Sequence, residues 1–239
     1  MLFSDEGFRG WVIKNSYQKI ELFGENKVWA GSGIPLLALI KQLAEFNLGG
    51  LEFLAGIPGT LGGAVVNNAG AFSREIKEVV EGVRVLNEEG KEQFISSSEL
   101  KFGYRTSCFK HLPSKSNFLK YPVILEVLLA LVPKGREEVL RLINSYIAIR
   151  AKKQPQEPSL GCVFKNPKNQ PAGMLLEQAG LKGKRKGRIK ISEKHANFFV
   201  NLGRGKAQDY LALIQEAKQA VKEKFGILLE EEIEIIPPQ

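Results

Sequence analysis

The stretch GGLEFLAGIPGTLGGAVVNNAGAF, residues 49–72, holds glycines at positions 49, 50, 56, 59, 62, 63 and 70. Because each glycine costs backbone entropy in a helix or strand, we expect this stretch to form neither. Glycine instead permits positive φ angles and lets the backbone approach a ligand closely. Unshielded, consecutive N–H groups between Gly56 and Gly63 would form a concave anion site, the usual way in which a loop holds a phosphate. The alternative is a glycine-rich turn that only packs.

The glycine spacing excludes two common phosphate loops. Neither G-x-x-x-x-G-K-[ST] nor G-x-G-x-x-G occurs, so the stretch is neither a P-loop nor a dinucleotide fingerprint. The pattern is A-G-I-P-G-T-x-G-G-A at 55–64, followed by N-A-G-A at 68–71. This pair of motifs resembles the flavin-binding core of the UDP-N-acetylmuramate dehydrogenase family, also called UDP-N-acetylenolpyruvoylglucosamine reductases. The resemblance implies that backbone amides here hold the FAD pyrophosphate. The implied cofactor-binding residues are Gly56, Ile57, Pro58, Gly59, Thr60, Gly62, Gly63, Asn68, Ala69 and Gly70.

Composition is that of a soluble globular protein. Of 239 residues 44% are hydrophobic and 25% are charged. The apolar run 123–132 contains a glutamate and is too short to cross a bilayer, and the N-terminus lacks the pattern of a signal peptide. Two cysteines form no disulfide framework, and two histidines exclude a His-rich metal site. We expect a cytoplasmic monomer without a membrane segment or metal.

Strands and helices are mixed without a regular βαβ period, which favours an α+β fold over a doubly wound sheet. The spacing of apolar residues predicts four helices, at 35–48, 136–152, 171–179 and 207–225, the last with Gly226 as its C-cap. It predicts strands at 11–13, 27–29, 83–86, 92–95, 123–131, 196–201 and 228–236. The breaker-rich QPQEPS at 154–159 marks a domain boundary. The resemblance implies a PCMH-like FAD-binding domain over 1–152, truncated at its N-terminus, and a smaller α+β substrate domain over 153–239.

Further segments match the same family in the same order. They are FGYRTS at 102–107, GCVFKNP at 161–167, AGMLLEQAGLKG at 172–183, SEKHANF at 192–198 and FGILLEEEI at 225–233. In the family the arginine of the first motif, the serine of the second and the last glutamate of the ending are active-site residues. The resemblance therefore assigns catalytic roles to Arg105, Cys162 and Glu232, with cysteine in the place of the usual serine. It also implies substrate contacts for Tyr104, Lys165 and Asn166.

Each of these residues has a plainer interpretation when it is taken alone. Arg105 could be a surface ion-pair partner, Cys162 a small buried hydrophobe and Glu232 part of a solvated strand edge. We interpret Cys108 and His111 as structural. The basic run at 182–190, KGKRKGRIK, is by itself typical of a phosphate or nucleic-acid patch, or of a solvated loop.

The resemblance implies reduction of the enolpyruvyl double bond of UDP-N-acetylglucosamine enolpyruvate by NADPH through FAD, in peptidoglycan synthesis. The resemblance also implies a small-molecule substrate and no nucleic-acid partner. Two alternatives stay open: another FAD oxidoreductase of this fold, or a non-catalytic, basic protein that binds nucleotides or nucleic acid. In the family a further subdomain ends in a G-G-G-S-N turn against the FAD, and residues 1–10 resemble the segment after that turn. We therefore expect weak FAD binding by residues 1–239.

Overall fold

The computed structural model describes residues 1–87, 89–110, 122–168 and 170–236. His111 lies outside the described residues. The helices are α1 Leu36–Glu45, α2 Leu61–Val66, α3 Arg136–Lys153, α4 Ala172–Gln178 and α5 Ala207–Phe225. The strands are β1 Leu2–Phe3, β2 Ile20–Phe23, β3 Lys27–Gly31, β4 Leu48–Gly49, β5 Gly70–Ala71, β6 Arg74–Glu75, β7 Val80–Leu86, β8 Glu92–Ser96, β9 Val123–Ala130, β10 Val132–Pro133, β11 Ser159–Cys162, β12 Arg185–Lys186, β13 Ile189–Ile191, β14 Phe198–Asn201 and β15 Ile235–Ile236.

The chain divides into two compact units, one of residues 13–149 and one of residues 1–12 with 150–239, called here the C-terminal unit. The division near 150 lies close to the predicted boundary at 152/153, whereas the predicted first domain also included 1–12. Those residues pack with the C-terminal unit because Leu2 and Phe3 pair in parallel with Ile235 and Ile236. Asp5 also accepts hydrogen bonds from the first amides of α5, at 2.8 and 2.9 Å.

The 13–149 unit is built on an antiparallel sheet with strand order β2-β3-β9-β7-β8. Side chains alternate across it, so that Val28 and Ala30 of β3 enter the same core as Val83 and Val85 of β7. The helix α1 covers this core with the residues of its predicted apolar face, Leu36, Leu39, Ile40 and Leu43. It ends at Glu45, before the predicted end, because Asn47 has a positive φ of 55°.

The predicted strand at 11–13 is wrong. Trp11 is 94% exposed, and no described strand pairs with this segment. The edge strand that pairs with β3 is β2, which begins at Ile20. An apolar triplet without a neighbouring strand has no partner for its backbone hydrogen bonds and forms no strand.

The C-terminal unit holds a sheet of order β11-β14-β13-β12, with its core against α4 and α5. The predicted apolar face of α5 is buried, and Gly226 caps its end in the left-handed conformation with φ at 70°. Only Ile235 and Ile236 of the predicted strand 228–236 form a strand. The acidic segment before them makes single backbone bonds to residues 163–165 instead. The α+β prediction is confirmed.

Candidate functional site

The glycine-rich stretch contains the short helix α2 and, at its two ends, residues of the short strands β4 and β5, so the expectation that it forms neither helix nor strand is wrong. The Thr60 hydroxyl caps this helix by accepting from the Gly63 amide at 3.5 Å. A Cβ on Gly62 would lie 2.9 Å from the Cβ of Ser32. Glycine is therefore required at position 62 because the helix packs closely on the end of β3.

The loop before α2 provides fewer unused amides than the sequence predicts. The amides of Ile57, Leu61 and Gly62 donate to backbone carbonyls at 2.8–3.0 Å. Pro58 has no N–H group, and the Gly56, Gly59 and Thr60 amides donate no hydrogen bond to the described residues. Left-handed φ angles of 83° at Gly56 and 134° at Gly59 turn this short loop. The donor set that fits an anion is therefore confined to residues 56–60.

Three hydrogen bonds join the end of α2 and the N-A-G-A segment to the distant FGYRTS segment. Asn68 Nδ2 donates to the Gly103 carbonyl at 2.8 Å, and Arg105 Nη2 donates to the Gly70 carbonyl at 2.9 Å. The Ser107 hydroxyl donates to the Val66 carbonyl at 2.8 Å. Asn68 is fully buried. The two motifs thus form one local structure within the 13–149 unit.

Arg105 lies at the tip of a tight turn. The backbones of Gly103 and Thr106 bond to each other at 3.0 and 3.2 Å, so Tyr104 and Arg105 occupy the centre of the turn. Arg105 has a positive φ of 55°, a conformation in which a turn normally places glycine or asparagine. Its guanidinium lies 5.2 Å from the centre of the Tyr104 ring. A charged side chain is therefore held in place at some cost in backbone strain.

The predicted cofactor residues Ala69 and Gly70 are tied into the protein's own structure. The Ala69 amide bonds to the Ala64 carbonyl at 2.8 Å, and its carbonyl accepts from the Ile76 amide at 2.9 Å. A Cβ on Gly70 would lie 2.7 Å from the Arg74 carbonyl oxygen and 3.0 Å from Arg105 Nη1. Glycine at position 70 is therefore explained first by the Arg74 carbonyl across the hairpin and second by the approach of the Arg105 guanidinium.

In the C-terminal unit the structure brings the segments of Cys162, Lys165 and Glu232 together. The Glu232 amide donates to the Val163 carbonyl at 2.8 Å, and the Lys165 amide donates to the Glu230 carbonyl at 2.9 Å. The Lys165 ammonium also forms an ion pair with the exposed Glu230 carboxylate. Residues 162–165 therefore run beside residues 230–232, although they are far apart in sequence.

Cys162 is half-buried at the end of β11, opposite Phe198 of β14. The strand register shifts between Ser159 and Cys162, and Gly161 within the irregularity has a φ of 83°. Such a bulge re-aims the side chains that follow it, which is common beside active sites. The thiol is thus presented by an irregular strand end.

Asn166 and Asn197 support the same segment. The Asn166 side chain accepts from the Ala172 amide at 2.9 Å and so caps α4. Asn197, which is 2% exposed, bonds to both the amide and the carbonyl of Phe164, at 2.9 and 2.8 Å. Sequence reasoning missed Asn197, because its segment matched the family without any spacing that marks a role.

The basic run folds into the β12–β13 hairpin, and several of its cations are paired. Lys184 lies 2.5 Å from Glu216, and Lys182 and Lys190 each lie 2.6 Å from a glutamate. Arg185 Nε donates to the Gly187 carbonyl at 2.6 Å. These pairs lower the positive potential that a nucleic-acid surface requires.

Burial raises the pKa of the Cys108 thiol above its ordinary value, which suits the predicted structural role. In the described parts of the chain, no helix is long and apolar enough to cross a membrane. Within the same residues, no cluster of histidine, cysteine, aspartate and glutamate is arranged to hold a metal ion.

Two family models match the chain. Residues 154–236 match the UDP-N-acetylenolpyruvoylglucosamine reductase C-terminal domain, and residues 1–96 match an FAD binding domain. A UDP-N-acetylenolpyruvoylglucosamine reductase of Syntrophus aciditrophicus is 41% identical over 99% of this chain and 75% of its own length. The corresponding protein of Bacillus subtilis is 40% identical over 99% of this chain and 76% of its own length. A crystal structure of UDP-N-acetylenolpyruvylglucosamine reductase from Thermus caldophilus is 39% identical, with a TM-score of 0.77 over 92% of this chain and 75% of that one.

Proposed function

The chain belongs to the UDP-N-acetylenolpyruvoylglucosamine reductase family, and we propose that Arg105, Cys162 and Glu232 carry out its reaction. It is an FAD-dependent reductase of peptidoglycan precursor synthesis. In the proposed reaction, NADPH provides the electrons that convert UDP-N-acetylglucosamine enolpyruvate to UDP-N-acetylmuramate. We place the protein in the cytoplasm as a monomer, where its product serves cell-wall growth, cell shape and division.

The loop at 56–60 is the part of this chain that fits the pyrophosphate of FAD. The amides of Gly56, Gly59 and Thr60 are donors without partners among the described residues, and positive φ angles at both glycines turn the loop. Backbone amides in such a loop favour a negatively charged group. When FAD is bound, it supplies the hydride chemistry, while the protein contributes binding and electrostatics.

Arg105 stabilises the charge that develops on the substrate. Addition of hydride at C3 of the enolpyruvyl group leaves negative charge on an enolate at C2 and the carboxylate. A fixed guanidinium placed in advance stabilises such charge without reorganising during the reaction. The observation that carries this proposal is the strained backbone of Arg105, together with its 2.9 Å bond to Gly70. Strain of this kind persists where the surrounding structure over-determines it, which is typical of active sites.

Cys162 gives the proton that completes the reduction. Its thiol transfers a proton to C2, forming the C–H bond as the enolate collapses, and the sulfur regains a proton from solvent in the next cycle. Glu232 is placed on the segment that bonds beside Val163 and acts as the carboxyl group near the enolate. Lys165 on the same segment binds an anionic part of the substrate.

A spectroscopic experiment tests this function. The purified protein, supplied with FAD because residues 1–239 are expected to bind it weakly, is reduced with NADPH without oxygen, and UDP-N-acetylglucosamine enolpyruvate is then added while flavin absorbance is followed. We expect bleaching by NADPH and recovery of the oxidised spectrum on addition of the sugar nucleotide. Bleaching without recovery would indicate an FAD oxidoreductase with another substrate, and flavin that NADPH cannot reduce would contradict the proposed reductase.

A further inference from the structure

The hairpin formed by β5 and β6 has an unusual turn. Phe72 and Ser73 connect the two strands, with positive φ angles of 54° and 60°. Two successive left-handed residues define the tight turn in which Asn-Gly is normally found, because other side chains are strained there. A bulky aromatic residue in this conformation is a true outlier. Contacts with the surrounding structure must therefore stabilise this turn.

Contacts of the turn and of β6 hold this hairpin. The Phe72 ring packs on Tyr146 of α3, with ring centres 4.6 Å apart and planes inclined by 43°. Arg74 Nε donates to Glu78 at 2.9 Å, and its guanidinium lies 4.7 Å from the centre of the Phe53 ring. Glycine at position 72 would remove the strain but would also remove the ring that rests on α3.

One backbone carbonyl of the hairpin contacts Arg105 of the proposed site. Its first residue, Gly70, provides the carbonyl that accepts from Arg105 Nη2 at 2.9 Å. A Cβ on that residue would lie 2.7 Å from the Arg74 carbonyl oxygen across the hairpin and 3.0 Å from Arg105 Nη1. The position of β5 thus determines where the guanidinium lies, and β5 is connected to α3 through the turn.

We propose that Phe72 and Tyr146 are positioning residues for Arg105. Their contact keeps the strained hairpin in the form that places the Gly70 carbonyl under the guanidinium. Phe72 is 41% exposed, so packing of a buried core does not account for its ring. This inference rests on the proposed role of Arg105 in the reaction.

The test compares Phe72→Ala, Phe72→Leu, Arg105→Lys and the double variant Phe72→Ala/Arg105→Lys. The matched control is Phe94→Ala, because Phe94 is a 50% exposed phenylalanine of the same unit whose ring also packs on an aromatic neighbour, with its centre 6.0 Å from that of Trp29. Two rates are measured in each protein: flavin reduction by NADPH and flavin reoxidation by the enolpyruvyl sugar nucleotide. Hydrogen–deuterium exchange of peptides covering 70–75 and 100–107 gives a readout that does not depend on turnover.

We expect Phe72→Ala to slow reoxidation about 10- to 100-fold, the size of effect that small misplacements of catalytic groups produce. Reduction by NADPH should change little, exchange at 70–75 should accelerate, and Phe94→Ala should reoxidise normally. In the Arg105→Lys background, Phe72→Ala should add no further slowing, because the group it positions is already altered. Phe72→Leu should lie between Phe72→Ala and the unchanged protein.

Reoxidation at the unchanged rate in Phe72→Ala would overturn the inference. Equal slowing by Phe72→Ala with and without Arg105→Lys would also overturn it, because the ring would then act through general stability. A normal rate in Arg105→Lys itself would instead remove Arg105 from the mechanism, and the inference with it.

Discussion

Replacing Gly70 by alanine tests the placement of Arg105 with a single methyl group. The added Cβ would lie 2.7 Å from the Arg74 carbonyl oxygen and 3.0 Å from Arg105 Nη1. A separation of 2.7 Å is shorter than real Cβ contacts, so the Arg74 oxygen must move away, whereas the guanidinium at 3.0 Å is the flexible end of a side chain and can give slightly. Because the Arg74 oxygen belongs to β6, which pairs with β5, the two strands have to shift against each other. We therefore expect the Gly70 carbonyl to move away from Arg105 Nη2.

The size of the effect follows from the bond that is lost. A hydrogen bond to a charged group contributes about 1.5–3 kcal/mol. Each 1.36 kcal/mol of transition-state stabilisation corresponds to about tenfold in rate. If the guanidinium, released from this bond, loses that much interaction with the developing enolate, reoxidation of the flavin by substrate should slow about 10- to 150-fold. Flavin reduction by NADPH does not develop this charge and should be nearly unchanged.

The assay is stopped-flow absorbance of the two half-reactions, with the substrate concentration varied. Gly135→Ala is the matched control, because a Cβ on Gly135 would have no atom within 4 Å apart from its chain neighbours. We expect the loss in Gly70→Ala to lie in the maximum rate rather than in the affinity for substrate, since the interaction is made in the transition state. Equal rates in Gly70→Ala and Gly135→Ala would refute the reasoning.

Three other predictions concern the supporting residues. Glu230→Gln releases Lys165 from an exposed ion pair that contributes about 0.2–1 kcal/mol, so the KM for the anionic substrate should fall by about 1.4- to fivefold, and an unchanged KM would show that Glu230 does not compete with the substrate for Lys165. Asn68→Ala removes a fully buried side chain that bonds to the Gly103 carbonyl and to the Lys77 amide, and it should lower the free energy of unfolding by about 1–3 kcal/mol. Denaturant unfolding checks this, with Asn67→Ala as control because the half-buried Asn67 side chain makes a solvent-exposed bond to the Gly63 carbonyl, and equal values for both would contradict the prediction. Burial lowers the pKa of His195 from 6.5, so its neutral form stabilises the fold fully above pH 6.5 and this contribution is lost as the pH falls through the lower, folded pKa. The free energy of unfolding should decrease as the pH falls through that window, by at most about 1.4 kcal/mol per pH unit. It should depend less on pH in His195→Gln, and the same slope in both proteins would exclude His195 as the cause.

The helical spacing of apolar residues was sufficient to predict which faces of α1 and α5 pack against a core. The face of α5 and its Gly226 cap follow from the apolar period, because burial of one helix face dominates its placement. The same reasoning failed at 228–236, where alternation predicts a strand but pairing depends on the distant residues Leu2 and Phe3. It also failed at α2, where close packing on Ser32 accounts for Gly62.

Some features of the candidate site could likewise be predicted from local motifs, whereas others depend on tertiary contacts. The motifs predicted Arg105, Cys162 and Glu232 as site residues, and the joining of 162–165 to 230–232 is observed within the C-terminal unit. The pairing of Lys165 with Glu230 has no local signal, since their approach depends on that tertiary contact. Likewise, the amides of Leu61 and Gly62 donate to the carbonyls of Ile34 and Ser32, just after β3. The sequence alone could not show that these amides are already occupied.

The most direct test of the proposed mechanism is the reoxidation of reduced flavin by substrate in Cys162→Ala, measured beside Cys162→Ser. Both variants should be reduced by NADPH at the unchanged rate, because the thiol acts only in the substrate half-reaction. Cys162→Ser, which keeps a transferable proton at the same place, should be reoxidised by UDP-N-acetylglucosamine enolpyruvate, whereas Cys162→Ala should remain reduced. Reoxidation of Cys162→Ala at the rate of the unchanged protein would contradict the proposal, because another group would then give the proton to C2.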